Sequence, residues 1–240
     1  MVVSPLATDP LPEPSQCANC GAAFDNEWCP ACGQHRRGSK RIGLREVAEH
    51  VTKDVLNFDT ALLRTIRDLS LRPGPMCRDY VAGRRKRYLN PLAYYLLVGG
   101  VMLLASSLLK LAVAKSTPAA DDPLESYGTY LLLASLLPLA VQWRWPFRRS
   151  GHNFSVTLVF TLYITGHFLW IELLVLSPID TLVRIEMVTW PAFALTWVGY
   201  TVWAACGFFN ENVWWTLGKI LVSLLGWFLV VGLCVGPFME

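Results

Sequence analysis

Residues 72–99 read Arg72-Pro-Gly-Pro-Met-Cys-Arg-Asp-Tyr-Val-Ala-Gly-Arg-Arg-Lys-Arg-Tyr-Leu-Asn-Pro-Leu-Ala-Tyr-Tyr-Leu-Leu-Val-Gly99, and the fold class is decided there. The front half is polar and carries Cys77. Arg84, Arg85, Lys86 and Arg87 then make a dense positive block, Pro91 stands where a helix should open, and an almost unbroken apolar run follows. Proline suits the first turn of a helix, where its missing N–H has no partner to lose. A basic cluster set against a long apolar run marks a bilayer boundary with the cytoplasm on the basic side. The four basic side chains are therefore candidates for contact with anionic lipid headgroups.

Toward the C-terminus the apolar pattern resolves into five spans, at about 92–113, 127–145, 154–177, 188–209 and 213–236. Most reach the roughly 20 residues needed to cross a bilayer. A chain with 53% apolar side chains is too rich in them for an ordinary soluble domain. Charge asymmetry gives an independent check. Asp121, Asp122 and Glu125 fall in one loop and Arg144, Arg148 and Arg149 in the next. With the N-terminus inside and the C-terminus outside, eighteen of the twenty-one basic residues become cytoplasmic. Trp143, Trp145, Trp190, Trp214 and Trp215 lie near span ends, as interfacial aromatics do.

Toward the N-terminus, residues 1–16 are proline-rich, lack periodicity and read as a disordered tail without signal-peptide character. Residues 17–35 contain Cys17-Ala-Asn-Cys20-Gly and Cys29-Pro-Ala-Cys32-Gly-Gln. A two-residue spacer lets both thiolates of a pair reach one ion, and Gly21 and Gly33 allow the backbone to turn toward the sulfurs. Four soft ligands, Cys17, Cys20, Cys29 and Cys32, predict a closed, structural zinc ribbon in a reducing compartment. His35 is surplus to that set and is expected to be solvated. Residues 36–91 form a basic linker, a helical stretch from Leu44 to about Leu71, and a juxtamembrane segment. Apolar residues there recur every three or four positions, which predicts an amphipathic helix, packed on protein in preference to lying in the inner leaflet, with Asp59 or Thr60 as the cap of a second segment if it bends, and ended by Pro73-Gly74-Pro75.

Charges inside spans are costly, on the order of 3 kcal/mol or more, and so point to function. Lys110 and Glu172 each lie eighteen residues past the first residue of their spans. Both spans run outward, which puts the two side chains at one depth, paired or snorkelling separately. Thr157, Thr161, Thr165 and Glu172 fall within an arc of about 80° on the third span, whereas His167 projects from another sector. The functional reading of that arc is a polar track. The plainer one is threonine hydroxyls bonding back one turn. No nucleophile elbow, phosphate-cradling glycine loop or zinc-protease helix occurs, so an enzyme is disfavoured.

The paired cysteine motifs, Leu63-Arg-Thr65, Pro73-Gly74, and Tyr80-Val-Ala-Gly83-Arg-Arg85-Lys-Arg-Tyr88-Leu-Asn-Pro91 with Tyr95 resemble the bacterial membrane family of the domain of unknown function 3667. The likeness is specific over about residues 17–100. It implies an inner-membrane protein with a cytosolic zinc ribbon and brings no activity with it. The family's third span resembles Glu-His-Leu-Val-Phe…Leu-His; Val156-Thr157-Leu158-Val159-Phe160-Thr161-Leu162-Tyr163 has neither histidine. The architecture is also similar to that of Yip-type five-span proteins.

The expectation is an all-α polytopic membrane protein: a four-cysteine zinc ribbon, a cytosolic amphipathic helix and a transmembrane domain over 92–240. Its expected role is a non-enzymatic adaptor or scaffold in the cytoplasmic membrane, with a cytosolic protein, anionic lipid or a second copy as partner, and not nucleic acid. A small transporter or channel using the polar track is the alternative.

Overall fold

The computed structural model describes residues 15–35, 58–114, 136–148, 151–176 and 186–235. A cysteine-bearing head comes first, with β1 (Ser15–Gln16) antiparallel to β2 (Ala23–Phe24). The strand thus begins inside the stretch expected to be a tail. Helices follow: α1 (Phe58–Leu71), α2 (Pro73–Val81), a 3₁₀ turn (Arg85–Arg87), α3 (Pro91–Ala114), α4 (Leu136–Arg144), α5 (Phe154–Ile171), α6 (Glu186–Phe209) and α7 (Val213–Val235). A π-helical turn, Glu172–Leu176, continues α5.

Among the described residues, three segments are long and apolar enough to cross a membrane, Arg85–Ala105, Phe154–Val175 and Pro191–Phe209, with Val213–Gly226 a shorter apolar helix. The first, third, fourth and fifth expected spans coincide closely with α3, α5, α6 and α7. The second half of the second expected span is α4, while its residues 127–135 lie outside the described residues, as do residues 36–57 of the expected linker and helix.

Local chemistry sets the helix starts. Pro91 opens α3, and Asn90 Oδ1 accepts from the N–H groups of Leu92 (2.9 Å) and Ala93 (3.3 Å). Asn153 does the same for α5, accepting from Val156 N–H at 2.9 Å. Each asparagine satisfies donors that the first turn leaves orphaned. Pro73-Gly74-Pro75 departs from expectation. α1 does end just before it, but the motif is itself the first turn of α2, where proline has no helical hydrogen bond to forfeit.

α5 is the central post. Tyr163 Oη donates to the Leu89 carbonyl, and Gly166 lies against Tyr95, so α3 and α5 run in the same direction. Phe160 stacks on Phe208 and His167 lies beside Tyr200, so α6 runs the opposite way. α3 begins beside Tyr163, ~14 Å along α5 from its start. The α1–α2 corner packs on the flank of α5 and α6 at about that depth, with Ser70 at His167, Tyr80 at Tyr163 and Gly74 at Gly207, and Leu69, Met76 and Cys77 join the same core as the apolar spans. The juxtamembrane segment is therefore part of the bundle's core, not a layer laid beneath it. Trp145, Trp214 and Trp215 are exposed as belt residues would be. Trp143 instead is buried against Phe160 and Trp197.

The corner is seated by contact between two backbones. A Cβ added to Gly74 would lie 2.5 Å from the Gly207 backbone and 2.6 Å from the Ala204 carbonyl oxygen. One added to Gly207 would meet Pro75 Cδ at 3.1 Å and Gly74 Cα at 3.2 Å. Gly74→Ala is expected to lower the thermal midpoint in detergent, at a cost of ~1–3 kcal/mol for forcing two rigid elements apart. Gly207→Ala should cost less, and Gly218→Ala, which would meet nothing within 4 Å, should not destabilise. Equal midpoints for the three variants would contradict the close approach.

Candidate functional site

The head is built by two tight turns. Gly21 N–H bonds to the Cys17 carbonyl and Gly33 N–H to the Cys29 carbonyl, each at 2.8 Å, with both glycines left-handed (φ 77° and 69°). A side chain would be strained there. The turns bring together the four sulfurs that the spacing predicted, all within 4.8 Å of one another. Cys17 and Cys32 sulfurs are 3.6 Å apart, and those of Cys20 and Cys29 are 3.5 Å apart. Disulfide sulfurs would lie at ~2.05 Å, whereas four thiolates around a tetrahedral ion at ~2.3 Å stand ~3.8 Å from one another. The donor set fits a metal ion.

Electrostatics agree with the geometry. At Cys29, burial opposes ionisation, but the N–H groups of Cys32 and Ala31 outweigh it and bring the thiol down to about 7. At Cys20 the Ala22 N–H favours the thiolate, yet burial and the neighbouring cysteines push the group up to about 12. Four thiols crowded together cannot all ionise without a cation; a divalent ion removes that conflict. His35 is not a fifth donor. Half-buried, it packs edge-on against the exposed Trp28, ring centroids 4.5 Å apart.

The head is fastened to the helical body. Gln34, next to the Gly33 knuckle, donates from Nε2 to the Gly83 carbonyl at 2.7 Å in a buried contact. Gly83 precedes the basic block. Arg84 pairs with Asp79 at 3.1 Å. Lys86 and Arg87 are exposed and line an open cleft of about 400 Å³ with Arg64, Thr60, Ala61 and, from the head, Asn19 and Cys32.

Between the block and α3 the backbone is non-helical and buried, so its polar groups need partners. Leu89 N–H donates to Thr65 Oγ1 at 3.0 Å, and the Leu89 carbonyl accepts from Tyr163 Oη. Tyr88 Oη donates to Asp68 Oδ2 at 3.0 Å, and Arg72 Nη2 donates to the same oxygen at 2.7 Å. Burial opposes ionisation of Asp68, but these two donors, with the charges of Arg72 and Arg87, hold its carboxyl below the ordinary value.

Deeper in, sequence reasoning missed a node at His167, which is only 3% exposed. Its Nδ1 lies 2.8 Å from Tyr94 Oη and its Nε2 3.1 Å from Ser70 Oγ, while Ser70 also donates to the Ile66 carbonyl at 2.9 Å. With the Ser70 proton committed to Ile66, the consistent assignment is Nε2–H donating to Ser70 and Tyr94 O–H donating to Nδ1. Ser70 is thereby an acceptor and not an activated nucleophile. Cys77 is fully buried, and burial pushes its thiol far above the ordinary range, so it acts as a small apolar core residue. A histidine within an apolar span was the available signal for this node; its partners come from three other elements.

The residues of the expected track behave separately. Thr161 Oγ1 donates to the Thr157 carbonyl at 2.9 Å and Thr157 Oγ1 to that of Asn153 at 3.4 Å, both one turn back. Thr165 is half-buried. Glu172 opens the π-turn, and its Oε2 is buried without a hydrogen-bond partner among the described residues. Lys110 lies on α3, but its side chain is outside the described residues.

Fold and site together define a mostly helical, membrane-compatible protein with a four-cysteine cluster that can hold a metal ion. Residues 59–103 match the model of the family described as Protein of unknown function (DUF3667), the family whose motifs the sequence resembles. The matched segment runs from α1 through the basic turn into α3. No curated protein and no solved structure matches the chain.

Two outcomes follow from this geometry. Asp68 gains stability from being ionised in the folded state, so its contribution is complete above the ordinary carboxyl value of ~3.9 and fades as pH falls through the lower folded value. Asp68→Asn should therefore lose ~1–2 kcal/mol of stability at neutral pH. In denaturation series at several pH values, that deficit should shrink on acidification. Elemental analysis of the purified chain should find metal bound, and Cys29→Ser should strip it; undiminished metal content in that variant would place the ion elsewhere.

Proposed function

We propose that this chain is an integral protein of the bacterial cytoplasmic membrane that works as an adaptor, with a zinc-bearing head presented to the cytosol. The single observation that carries the reading is the buried Gln34–Gly83 hydrogen bond, which ties the cysteine cluster to the turn ahead of α3. Zinc is the ion that four cysteines without an open position suit best, and in such a site it supplies rigidity. Cys17, Cys20, Cys29 and Cys32 would hold it. The orientation follows from the basic bias, with the N-terminus inside, five spans and the C-terminus outside. A rigid head anchored beside the bilayer is suited to holding a cytosolic protein.

A small transporter is the second reading, favoured by the buried Glu172 Oε2, which has no hydrogen-bond partner among the described residues and lies in a membrane-length segment. Intramembrane carboxylates are rare and usually functional. Two variants separate the readings. Pull-down from detergent-solubilised membranes with the wild-type chain as bait should recover a partner that is lost with Cys17→Ser/Cys20→Ser and kept with Glu172→Gln. The opposite pattern, with ion or solute flux abolished by Glu172→Gln and insensitive to the cysteine change, would make the chain a transporter. A reporter fused after Glu240 that is active only in the cytosol would overturn the orientation.

A further inference from the structure

Among the described residues, α1 is held to the body along one side. Thr65 Oγ1 accepts from the Leu89 N–H, Asp68 Oδ2 from Tyr88 Oη, and the Leu69 carbonyl from Tyr200 Oη at 3.2 Å. On the other side Leu63, Arg67 and Leu71 follow one another at four-residue steps, which sets them in one stripe along the helix. All three are exposed, Leu63 at 67% and Leu71 at 64%.

Depth decides what faces that stripe. Ser70, beside Leu71, is 3.1 Å from His167 Nε2, and the same ring lies 2.8 Å from Tyr94 Oη in the first turn of α3. The C-terminal end of α1 is thus level with the start of a membrane-length helix, past the basic turn that leads into it. Tyr200, which holds Leu69, meets Trp203 edge-on at 6.2 Å, and Trp203 is half-exposed in the manner of an interfacial aromatic. Nearer the other end of α1, Ala61 and Arg64 border the head. α1 therefore climbs from the head to the depth at which α3 enters the bilayer. Leucines left facing water there would each forgo about 1.5–3 kcal/mol relative to an apolar surrounding. An arginine between them is tolerated in lipid, because its stem carries the charge out to the headgroups.

We propose that the Leu63–Arg67–Leu71 stripe of α1 lies against the inner leaflet, with the two leucines on acyl chains and Arg67 at the headgroups. The occupant follows from continuity, since Leu96, Leu104 and Leu108 are exposed on the adjoining α3 and give the bundle its lipid-facing surface. The amphipathic pattern of α1 thus serves two apolar neighbours, protein on one side and lipid on the other. This rests on the reading of the chain as a membrane protein and adds to it a lipid contact outside the spans.

The photoreactive residue p-benzoylphenylalanine is placed, one site at a time, at Leu63, Leu71, Leu96 and Asn26 of the full chain. Each variant is irradiated in nanodiscs of phosphatidylcholine and phosphatidylglycerol, and mass spectrometry of the intact chain and its peptides reads what each site has captured. Leu63 and Leu71 should give lipid adducts, as should Leu96, while Asn26, exposed in the head, should give none. Lipid adducts missing from Leu63 or Leu71 but present at Leu96 overturn the proposal. Capture of residues 36–57 or of a second copy in place of lipid overturns it too, by assigning the stripe to a protein contact. Asn26 reacting as strongly as the two leucines has the same effect, since capture would then carry no information on depth. Loss of the Leu96 adduct as well would remove the membrane reading itself, so the two failures are distinguishable. Metal content and gel-filtration position confirm that each variant is folded.

Discussion

The contact of Gly74 with Gly207 is the constraint on which the architecture depends. Apolar helices in lipid gain little by hiding from one another, because the tails are as apolar as leucine; close packing of backbones supplies the attraction instead. Here the close approach joins a membrane-length helix to a two-turn helix that no hydropathy argument would place in a bundle. Once Gly74 is seated, α2 carries Cys77 and Tyr80 into the core, and Tyr80 meets Tyr163 edge-on at 5.4 Å. α1 follows, and Leu69 offers its carbonyl to Tyr200. The corner thus packs on α5 and α6 at the depth where α3 begins, and His167 meets Ser70 and Tyr94 together.

That arrangement creates a cost, which the polar residues offset. A buried, non-helical stretch between the basic turn and α3 would strand backbone donors and acceptors at a few kcal/mol each. Thr65 and Tyr163 take the two backbone groups of Leu89, and Asn90 caps α3. Thr65 sits on α1 and Tyr163 on α5, so the irregular segment is held only when both elements are in place. The Asp68–Arg72–Tyr88 cluster adds charge-assisted bonds at the same junction, where they also keep a buried carboxylate partnered. The family match over residues 59–103 covers this junction from α1 to α3.

Much of this was legible in the sequence, and the reasons differ by feature. The cysteine cluster could be read because its geometry is local: a two-residue spacer and a glycine bring each pair of sulfurs together whatever the rest of the chain does. The starts of α3, α5 and α7 could be read because hydropathy changes abruptly there. His167 was missed because helical periodicity compares residues on one element, whereas Ser70, Tyr94 and Tyr200 come from three others. Pro73-Gly74-Pro75 was readable as a stop and not as a start, since proline ends one helix and opens the next with equal ease. Trp143 carries no mark in the sequence to distinguish a belt residue from a core one.

The placement of Gln34 links these layers. It follows directly on the glycine that turns the second cysteine pair, so the geometry that brings Cys29 and Cys32 to a common ion also sets where its amide points. Its acceptor, Gly83, begins the basic turn, and that turn leads into α3 through the segment held by Thr65 and Tyr163. Metal binding to such small heads is largely what folds them. The free energy that orders the cysteine turns therefore also favours the Gln34–Gly83 bond, and linkage requires the reverse: a body that holds Gly83 in place favours the ordered head. A head joined to its membrane anchor by a free tether could recognise a partner but could not transmit anything to the bundle. The buried Gln34–Gly83 hydrogen bond gives the head a direct physical link to the turn ahead of α3.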